Sequence, residues 1–480
     1  MHGFEEGKPN PYQASGIPTP GDPGDNRPWY RLLTKYHWFV LVVAALGWLF
    51  DTMDQQLFNL ARTPAITELL GPSAAKTTID AYGAYATSIF ILGWATGGLF
   101  FGILGDRIGR AKVMMLTILI YSLFTGLSAL SVTVWDFAFY RFLTGLGVGG
   151  EFAVGVALVA EVMPDRARTH ALGWLQTLSA VGNITAAFIN MGLGIAEGGE
   201  MLGDFKPWRI MFVIGALPAL LAILIRSRLK EPERWQHAVA EGEKVKHKAG
   251  SLSELFGDPR WRNRAFVGLA LAIPGVVGLW GIGFFSFDFV RAVFRPYYEA
   301  QGLSDTEIRG ELTWLVGWVS VLQNLGGALG IYGFKTMTNR LGRRPAFALA
   351  FSLAMVSTAA TFWFLNRGAF WLLDGFWGVF ILIPLMGFCQ LTLFGGYAIY
   401  FPELFPTRLR STGTSFCYNV GRYVAALGPL TMGQLINTVF GSYGQIEAWR
   451  YTGVTMSLFF LIGLLAIPFA PETSGKPLPE

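Results

Sequence analysis

Twelve apolar runs divide the chain, at 37–60, 81–104, 113–132, 136–160, 171–194, 208–226, 265–288, 313–334, 345–365, 373–400, 413–438 and 450–470. Each is long enough to cross a bilayer, since about 20 mostly apolar residues span the hydrocarbon core as a helix. Only helices and closed barrels satisfy their backbone polar groups there. The runs do not alternate apolar and polar residues, as barrel strands do. The pattern therefore predicts helices, with the longest polar stretches at 1–36 and 227–264.

The polar breaks repeat. Between the second and third runs lies Gly102-Ile-Leu-Gly-Asp-Arg-Ile-Gly-Arg-Ala-Lys112, and between the eighth and ninth Thr338-Asn-Arg-Leu-Gly-Arg-Arg-Pro345. Asn339 follows Asp106 by 233 residues. A second pair, Glu161-x-x-Pro164-x-x-x-Arg168 and Glu403-x-x-Pro406-x-x-x-Arg410, recurs at an offset of 242. Two matches at nearly one offset, at equivalent helix ends, predict a duplicated unit. The fold class is an all-α membrane protein, with twelve transmembrane helices in two pseudo-symmetric six-helix bundles. The bundles are expected at 37–226 and 265–470, joined by the linker 227–264 and flanked by tails 1–36 and 471–480. Internal repeats around a central site are a layout of secondary transporters.

Composition agrees: 52% of the 480 residues are hydrophobic and 14% charged, where soluble domains carry about 25% charged residues. With the N-terminus inside, inner segments hold about 26 Lys and Arg and outer ones about 9, the bias that sets topology in bacterial and eukaryotic membranes alike. Both termini are thus expected in the cytoplasm, with the chain in the plasma (inner) membrane. The net charge of +5 reflects that topology rather than a nucleic-acid partner. Cys389 and Cys417 both lie inside apolar runs and form no disulfide framework. The Pro- and Gly-rich 1–36 segment lacks the apolar core of a signal peptide and is expected to be disordered. The linker reads either as an amphipathic helix along the membrane or as a solvated connection. No G-x-x-x-x-G-K-[ST] loop, metal-ligand cluster or nucleophile triad occurs. An enzyme and a bound cofactor are therefore not expected, and the proton gradient is the expected driving force.

Few ionisable residues fall inside the apolar runs, and such residues mark function by default. Asp51 and Asp54 stand three apart on one face of the first helix. As a close pair of carboxyls in low dielectric they suit proton exchange, with Asp51 the deeper by span position. Alternatively, Asp51 caps a helix break and Asp54 sits in outer headgroup water. Arg141 and Glu151, ten residues apart on the fourth run, lie about 15 Å apart along a helix. Glu151 is either part of the coupling or a structural bond to a neighbouring helix. Arg422, within Tyr418-Asn-Val-Gly-Arg-Tyr-Val424, offers a fork of donors that matches a carboxylate. It reads as an anchor for an organic anion, or as a salt bridge with Asp288. Gln323, Asn324, Gln390, Asn419 and Tyr418 are further substrate candidates, as are Gln176 and Asn183, though single amides more often bond between helices. Trp94, Trp280, Trp318 and Tyr397 are expected mostly to face lipid or the interface. The histidines at 2, 37, 170, 237 and 247 fall in tails, loops and span edges, leaving proton exchange to the carboxyls.

The loop charges have a mechanical reading. Asp106 and Arg107, with Arg110, Glu161 and Arg168, and with Glu403 and Arg410 in the second half, are expected to form a gating network on the inner face. Asp106 can also meet the N-terminus of a facing helix, where the dipole favours an anion. Simple topogenic charge explains the arginines but not Asp106 among glycines.

Gly102-x-x-x-Asp106-Arg107-x-Gly109-Arg110 resembles the loop motif of the major facilitator superfamily. In the second copy Asn339 replaces the Asp and Lys335 falls where the first Gly would be. Arg141-Phe-Leu-Thr-Gly-Leu-Gly-Val-Gly-Gly-Glu151, Asp51-Thr-Met-Asp54, Glu403-Leu-Phe-Pro-Thr-Arg-Leu-Arg-Ser-Thr-Gly413 and Asn419-Val-Gly-Arg422 resemble its metabolite, sialate and lactate proton symporters. The D-x-x-D also resembles that of the aromatic-acid symporters. Glu231-Pro-Glu-Arg-Trp235 and Pro471-Glu-Thr-Ser-Gly-Lys476 are closer to sugar porters, yet 275–286 lacks the paired glutamines of that branch and the histidine signature of fungal lactate permeases. The resemblance implies alternating access, with Arg141 paired to a first-helix carboxylate until a proton competes. It implies symport of protons with a small organic anion such as lactate. The alternatives are sugar–proton symport or sugar diffusion, and a sensor that kept the fold without turnover. The expected partners are the anion, protons and membrane lipid, and the chain is expected to act as a monomer.

Overall fold

The computed structural model describes residues 28–479 apart from 72, 199–200, 204, 221–224, 226–228, 234, 237–239, 241–249, 284 and 368–374. The expected disorder of the tail therefore falls on residues that are mostly outside the described set, as do residues 227–228, 234, 237–239 and 241–249 of the linker. Among the described residues there is no strand, and ten helices are long and apolar enough to cross a membrane. The first half holds α1 (Lys35–Leu70), α2 (Lys76–Ile108), α3 (Arg110–Ser128), α4 (Val134–Val162), α5 (Asp165–Gly198) and α6 (Pro207–Ile214). The second holds α7 (Pro259–Val277), α8 (Asp305–Leu341), α9 (Arg343–Phe364), α10 (Val379–Leu404), α11 (Arg410–Ala425) and α12 (Gln445–Ser457). These match the twelve apolar runs in order. Five of the helices, α1, α2, α4, α5 and α8, outrun their apolar stretch at both ends, because hydrogen bonding continues where hydropathy ends and polar caps then close it. The Ser304 side chain, for instance, accepts the Glu307 N–H at 3.4 Å while the Glu307 carboxylate accepts the Ser304 N–H at 2.8 Å.

Lipid tails are as apolar as leucine, so helices associate in a membrane by close packing rather than by hydrophobic burial. Small residues make that possible here. A Cβ at Gly93 or Gly97 of α2 would lie 2.2 or 2.0 Å from the Phe142 or Leu146 carbonyl of α4, and one at Gly145 or Gly149 would meet α2 as closely. The second half repeats the device between α8 and α10: a Cβ at Gly326 or Gly330 would lie 2.3 or 2.1 Å from the Pro384 or Phe388 carbonyl. The halves meet along two seams, α2 with α11 and α5 with α8.

The two tight loop turns are built alike. Gly109 and Gly342 take φ of +115° and +89°, a region open to glycine. A carboxylate closes over each: Glu231 accepts the Ala111 and Lys112 N–H groups at 3.2 and 3.1 Å, and Glu472 accepts those of Arg343 and Arg344 at 2.9 and 3.1 Å. Partial burial works against the charge on Glu472, but the Arg343, Arg344 and Ser474 N–H groups outweigh it and hold its pKa below the usual value. The sugar-porter-like segments thus serve here as caps for the N-termini of α3 and α9. In the linker, residues 233, 235, 236 and 240 are helical, a short helix spans Leu252–Gly257 with Leu255 buried, and α7 begins at Pro259.

Substituting Gly97→Val should abolish the monodisperse peak on fluorescence size-exclusion chromatography, because backbone cannot yield to the added atoms. Gly192→Ala, at a position with nothing within 4 Å of the new Cβ, should leave the peak intact. Equal behaviour of the two variants would contradict the packing.

Candidate functional site

Between the halves lies a cavity of about 640 Å³, its open mouth included, walled by α1, α2, α5, α8, α10, α11 and the wide turn Gly278–Gly283 that follows α7. Breaks from regular α-helix of this kind often occur at functional sites, and this one brings Trp280 and Gly283 into the wall. Among the described residues, Arg422 is the one charged residue in that wall. It is 1% exposed, and its guanidinium carbon lies 4.1 Å from the Trp94 ring and 4.2 Å from the Tyr418 ring. It donates to the Asn419 side-chain oxygen at 2.5 Å, and its Nε has no partner. Asp288, the alternative ion-pair partner, instead accepts from Arg291 at 2.8 Å on the surface. Among the described residues no carboxylate pairs with Arg422.

Tyr418, Gln323, Asn324, Gln176 and Asn183 also line the cavity. Asn183 donates to Asn324 at 2.8 Å across the α5–α8 seam. Two substrate candidates stand elsewhere. Gln390 donates to Thr358 at 2.8 Å, bonding α10 to α9. Asn419 stands behind Arg422, packed on Gly98 of α2, where a Cβ would come within 2.1 Å of its amide. The sequence reading of the aromatics needs correcting, for Trp94 and Trp280 are buried in the cavity wall with ring centroids 5.0 Å apart. Tyr397 is also buried, donating to the Leu271 carbonyl at 2.7 Å. Trp48, Thr52, Gln55, Gln56, Ser179, Phe287 and Phe394, which sequence reasoning did not single out, complete most of the wall.

The four coupling candidates gather beside the cavity, in two pairs. Asp54, fully buried rather than in headgroup water, meets Arg141 at 3.4 Å and accepts from Thr125 at 2.7 Å. Arg141 also donates to Ser128 and Thr144 at 3.1 and 2.9 Å and lies over the Phe212 ring at 4.6 Å. Asp51 and Glu151 are buried side by side, and none of their four carboxyl oxygens has a hydrogen-bond partner. Two close carboxyls without a donor favour a proton between them. The arginine thus pairs with Asp54, while Asp51, favoured from span position, faces the glutamate.

At the end carrying the loop turns, the charges form a buried cluster. Asp106 accepts the Ser411 and Thr412 N–H groups at 3.2 and 2.8 Å and the Thr412 hydroxyl at 2.6 Å, at the N-terminus of α11. Arg110 lies 2.8 Å from Asp106 and 3.0 Å from Glu161, and donates to the Thr407 carbonyl across the seam at 2.9 Å. Arg410 reaches back to Glu161 at 3.2 Å. Arg107 is exposed: one residue on from Asp106 it points away, whereas Arg110, four on, shares the same face. Arg168 bonds instead to Asp165 and the Ala160 carbonyl. Glu403 pairs with Arg343 at 2.8 Å, the counterpart of Glu161 with Arg110.

The family model described as Major Facilitator Superfamily matches residues 44–308, more than half of the chain. The chain belongs to the major facilitator superfamily. It is a membrane transporter, not an enzyme. A second model of the superfamily, Sugar (and other) transporter, matches 280–474. A putative metabolite transport protein of Haemophilus influenzae is 28% identical over 93% of this chain and 99% of its own length. A cis,cis-muconate transport protein of Acinetobacter baylyi is 30% identical, over 81% of this chain and 85% of its own. The proton:xylose symporter XylE of E. coli, solved with 6-bromo-6-deoxy-D-glucose, shares the fold at 18% identity, with a TM-score of 0.68 over 92% of this chain and 98% of its own.

For this transporter the cluster at Asp106 predicts a closed end that opens on substitution. Asp106→Ala removes three hydrogen bonds to α11, each charge-assisted and worth about 1.5–3 kcal/mol. In a C389S/C417S background, a cysteine replacing Ser415, which lies against Gly102 in the α2–α11 seam, should react with maleimide about tenfold faster or more once Asp106 is lost, since about 1.4 kcal/mol is tenfold in an equilibrium. An unchanged rate would show that Asp106 does not hold the seam shut.

Proposed function

We propose that this transporter carries a small organic anion together with protons by alternating access, with Arg422 as the anchor for the anion. The observation that carries this reading is a buried guanidinium, the one charge among the described residues of the cavity wall, seated between two aromatic rings with no carboxylate to neutralise it. Such a group lacks a counterion until a ligand brings one, and its planar fork fits a carboxylate. Aromatic walls at Trp94, Trp280, Phe287 and Phe394 favour an acid with a flat, apolar body over one as small as lactate. A relative named as a niacin transporter, for a flat aromatic monoacid, supports that choice. A sugar would leave the guanidinium uncompensated.

Protons are carried by the carboxyls beside the cavity. The Asp51–Glu151 pair holds a shared proton, and its release leaves two close charges in an apolar setting, so proton loss and anion release are linked in sign. Asp54 and Arg141 keep each other charged nearby. With the loop-turn end on the cytoplasmic side, as the Lys and Arg bias favours, the Asp106 cluster acts as a cytoplasmic latch. Binding of anion and proton draws the halves together on the outer side, and the latch then parts.

The test is reconstitution into liposomes with the interior alkaline, following labelled nicotinate with lactate and xylose alongside and subtracting protein-free vesicles. Protonophore-sensitive accumulation of nicotinate is expected. Asp51→Asn should lose uphill accumulation and retain exchange, and Arg422→Lys should raise KM about tenfold or more, the loss expected when a bidentate charge-assisted contact goes. Xylose uptake without acid uptake would move the chain to sugar transport. Saturable binding without flux of any of the three would favour a sensor.

A further inference from the structure

Resting on the anion-transport reading, we infer that the cavity has a second recognition pole at Gln55 and Gln176, built for an uncharged group that both donates and accepts hydrogen bonds. The substrate class is then a monoanionic acid that carries a hydroxyl, or a group of like character, at the end remote from its carboxylate.

The two poles differ in the kind of polar atom left without a partner. At the first, on α2 and α11, the unpartnered atoms are Trp94 Nε1 and Arg422 Nε. Both are N–H donors, so this pole suits an anion alone. The second pole lies on α1 and α5. Gln55 is 5% exposed and its Nε2 has no partner, and Gln176 is 2% exposed and its Oε1 has none. Both line the same cavity as Arg422. Trp48 Nε1, on α1 in the same wall, is also without a partner. Buried polar atoms of native proteins are nearly always bonded, so orphaned polar atoms on side chains that line one cavity point to a ligand that draws them into bonds. An amide always presents an acceptor as well as donors.

That combination excludes a second carboxylate. An ionised distal group would face the Gln176 acceptor in a wall whose described residues offer no cation apart from Arg422, and burying an uncompensated charge is strongly unfavourable. A wholly apolar distal end is also disfavoured, because it would strip water from both amides without replacing the bonds. The aromatic side chains of Phe287 and Phe394, in the same wall, suit the flat body of the ligand. The α2–α11 and α5–α8 seams flank the cavity separately, so a ligand touching both poles also contacts groups that must move apart.

The test is equilibrium binding to the purified full-length protein in detergent, by calorimetry, with benzoate, 4-hydroxybenzoate and terephthalate as probes. In the wild type, 4-hydroxybenzoate should bind at least about tenfold tighter than benzoate, and terephthalate more weakly than benzoate, since a site built to bond a hydroxyl rejects ligands that leave it unpaired. In Gln176→Leu and Gln55→Leu, the ratio of the first two affinities should fall to about one. The wild-type comparison stands even where a variant fails to fold. Equal binding of benzoate and 4-hydroxybenzoate, tightest binding of terephthalate, or a ratio unchanged in both folded variants would overturn the second pole while leaving the anion reading intact. Failure of all three acids to bind, with xylose binding, would instead remove the anion reading and the pole with it.

Discussion

Burying charge in an apolar interior is costly, about 2.5–3.5 kcal/mol for an ionised side chain at the centre of a membrane helix even by the most lenient scale. The molecule is arranged around answering that cost. Asp106, Arg110, Glu161 and Arg410 are all buried, and each is answered by another of them or by backbone of α11. Asp54 is answered by Arg141 and Thr125. These bonds fix α1, α3 and α4 against one another and α2 against α11. Arg422, in the cavity wall, is held by rings and an amide rather than by an acid. A buried cation left so beside a cavity is where an anionic ligand belongs.

The duplication shows which parts are scaffold and which are machinery. Arg110 with Glu161 and Arg343 with Glu403 repeat, as do the carboxylate caps Glu231 and Glu472 and the glycine contacts that bring helices to backbone distance. These serve each half alone. The seams do not repeat. The α2–α11 seam runs from the Asp106 cluster past Gly102 and Gly98 to Arg422. In the α5–α8 seam, exposed Asn339 stands in for the aspartate, and Lys335 lies over Tyr332 at 4.7 Å, with Gly173 of α5 close to its stem. An ionic latch on one seam and weaker contacts on the other give the two seams unequal strength.

Helix number, order and the duplicated turns were legible in the sequence, because hydropathy at the length of a bilayer and motifs at a fixed offset are strong one-dimensional signals. Helix ends were less so: α8 begins at Asp305 and ends at Leu341, beyond the 313–334 run, since capping and backbone bonding do not register as hydropathy. The site was legible in its residue types and less in its partners. Helical spacing alone would have preferred Arg110 to Arg107 as the neighbour of Asp106. A stripe at every fourth residue, Trp94, Gly98 and Gly102, would have marked the face of α2 that meets α11 and brought Trp94 inward. The choice between Asp51 and Asp54 as the partner of Arg141 rests on Thr125 and Ser128 of α3, a tertiary matter that depth along one helix does not reveal. The amide pole at Gln55 and Gln176 likewise needs two helices in place before its unpartnered atoms can be seen.

The central claim is that anion and proton bind together, the anion at Arg422 and the proton at the carboxyls beside it. The most direct measurement is the affinity of the purified protein for nicotinate as a function of pH, taken between pH 5.5 and 8.5 where the charge of the ligand itself is constant. Linked binding predicts that affinity strengthens as pH falls, approaching a tenfold change per pH unit for one proton, and that Asp51→Asn flattens the dependence. Wild-type affinity that is independent of pH across that range would contradict the account.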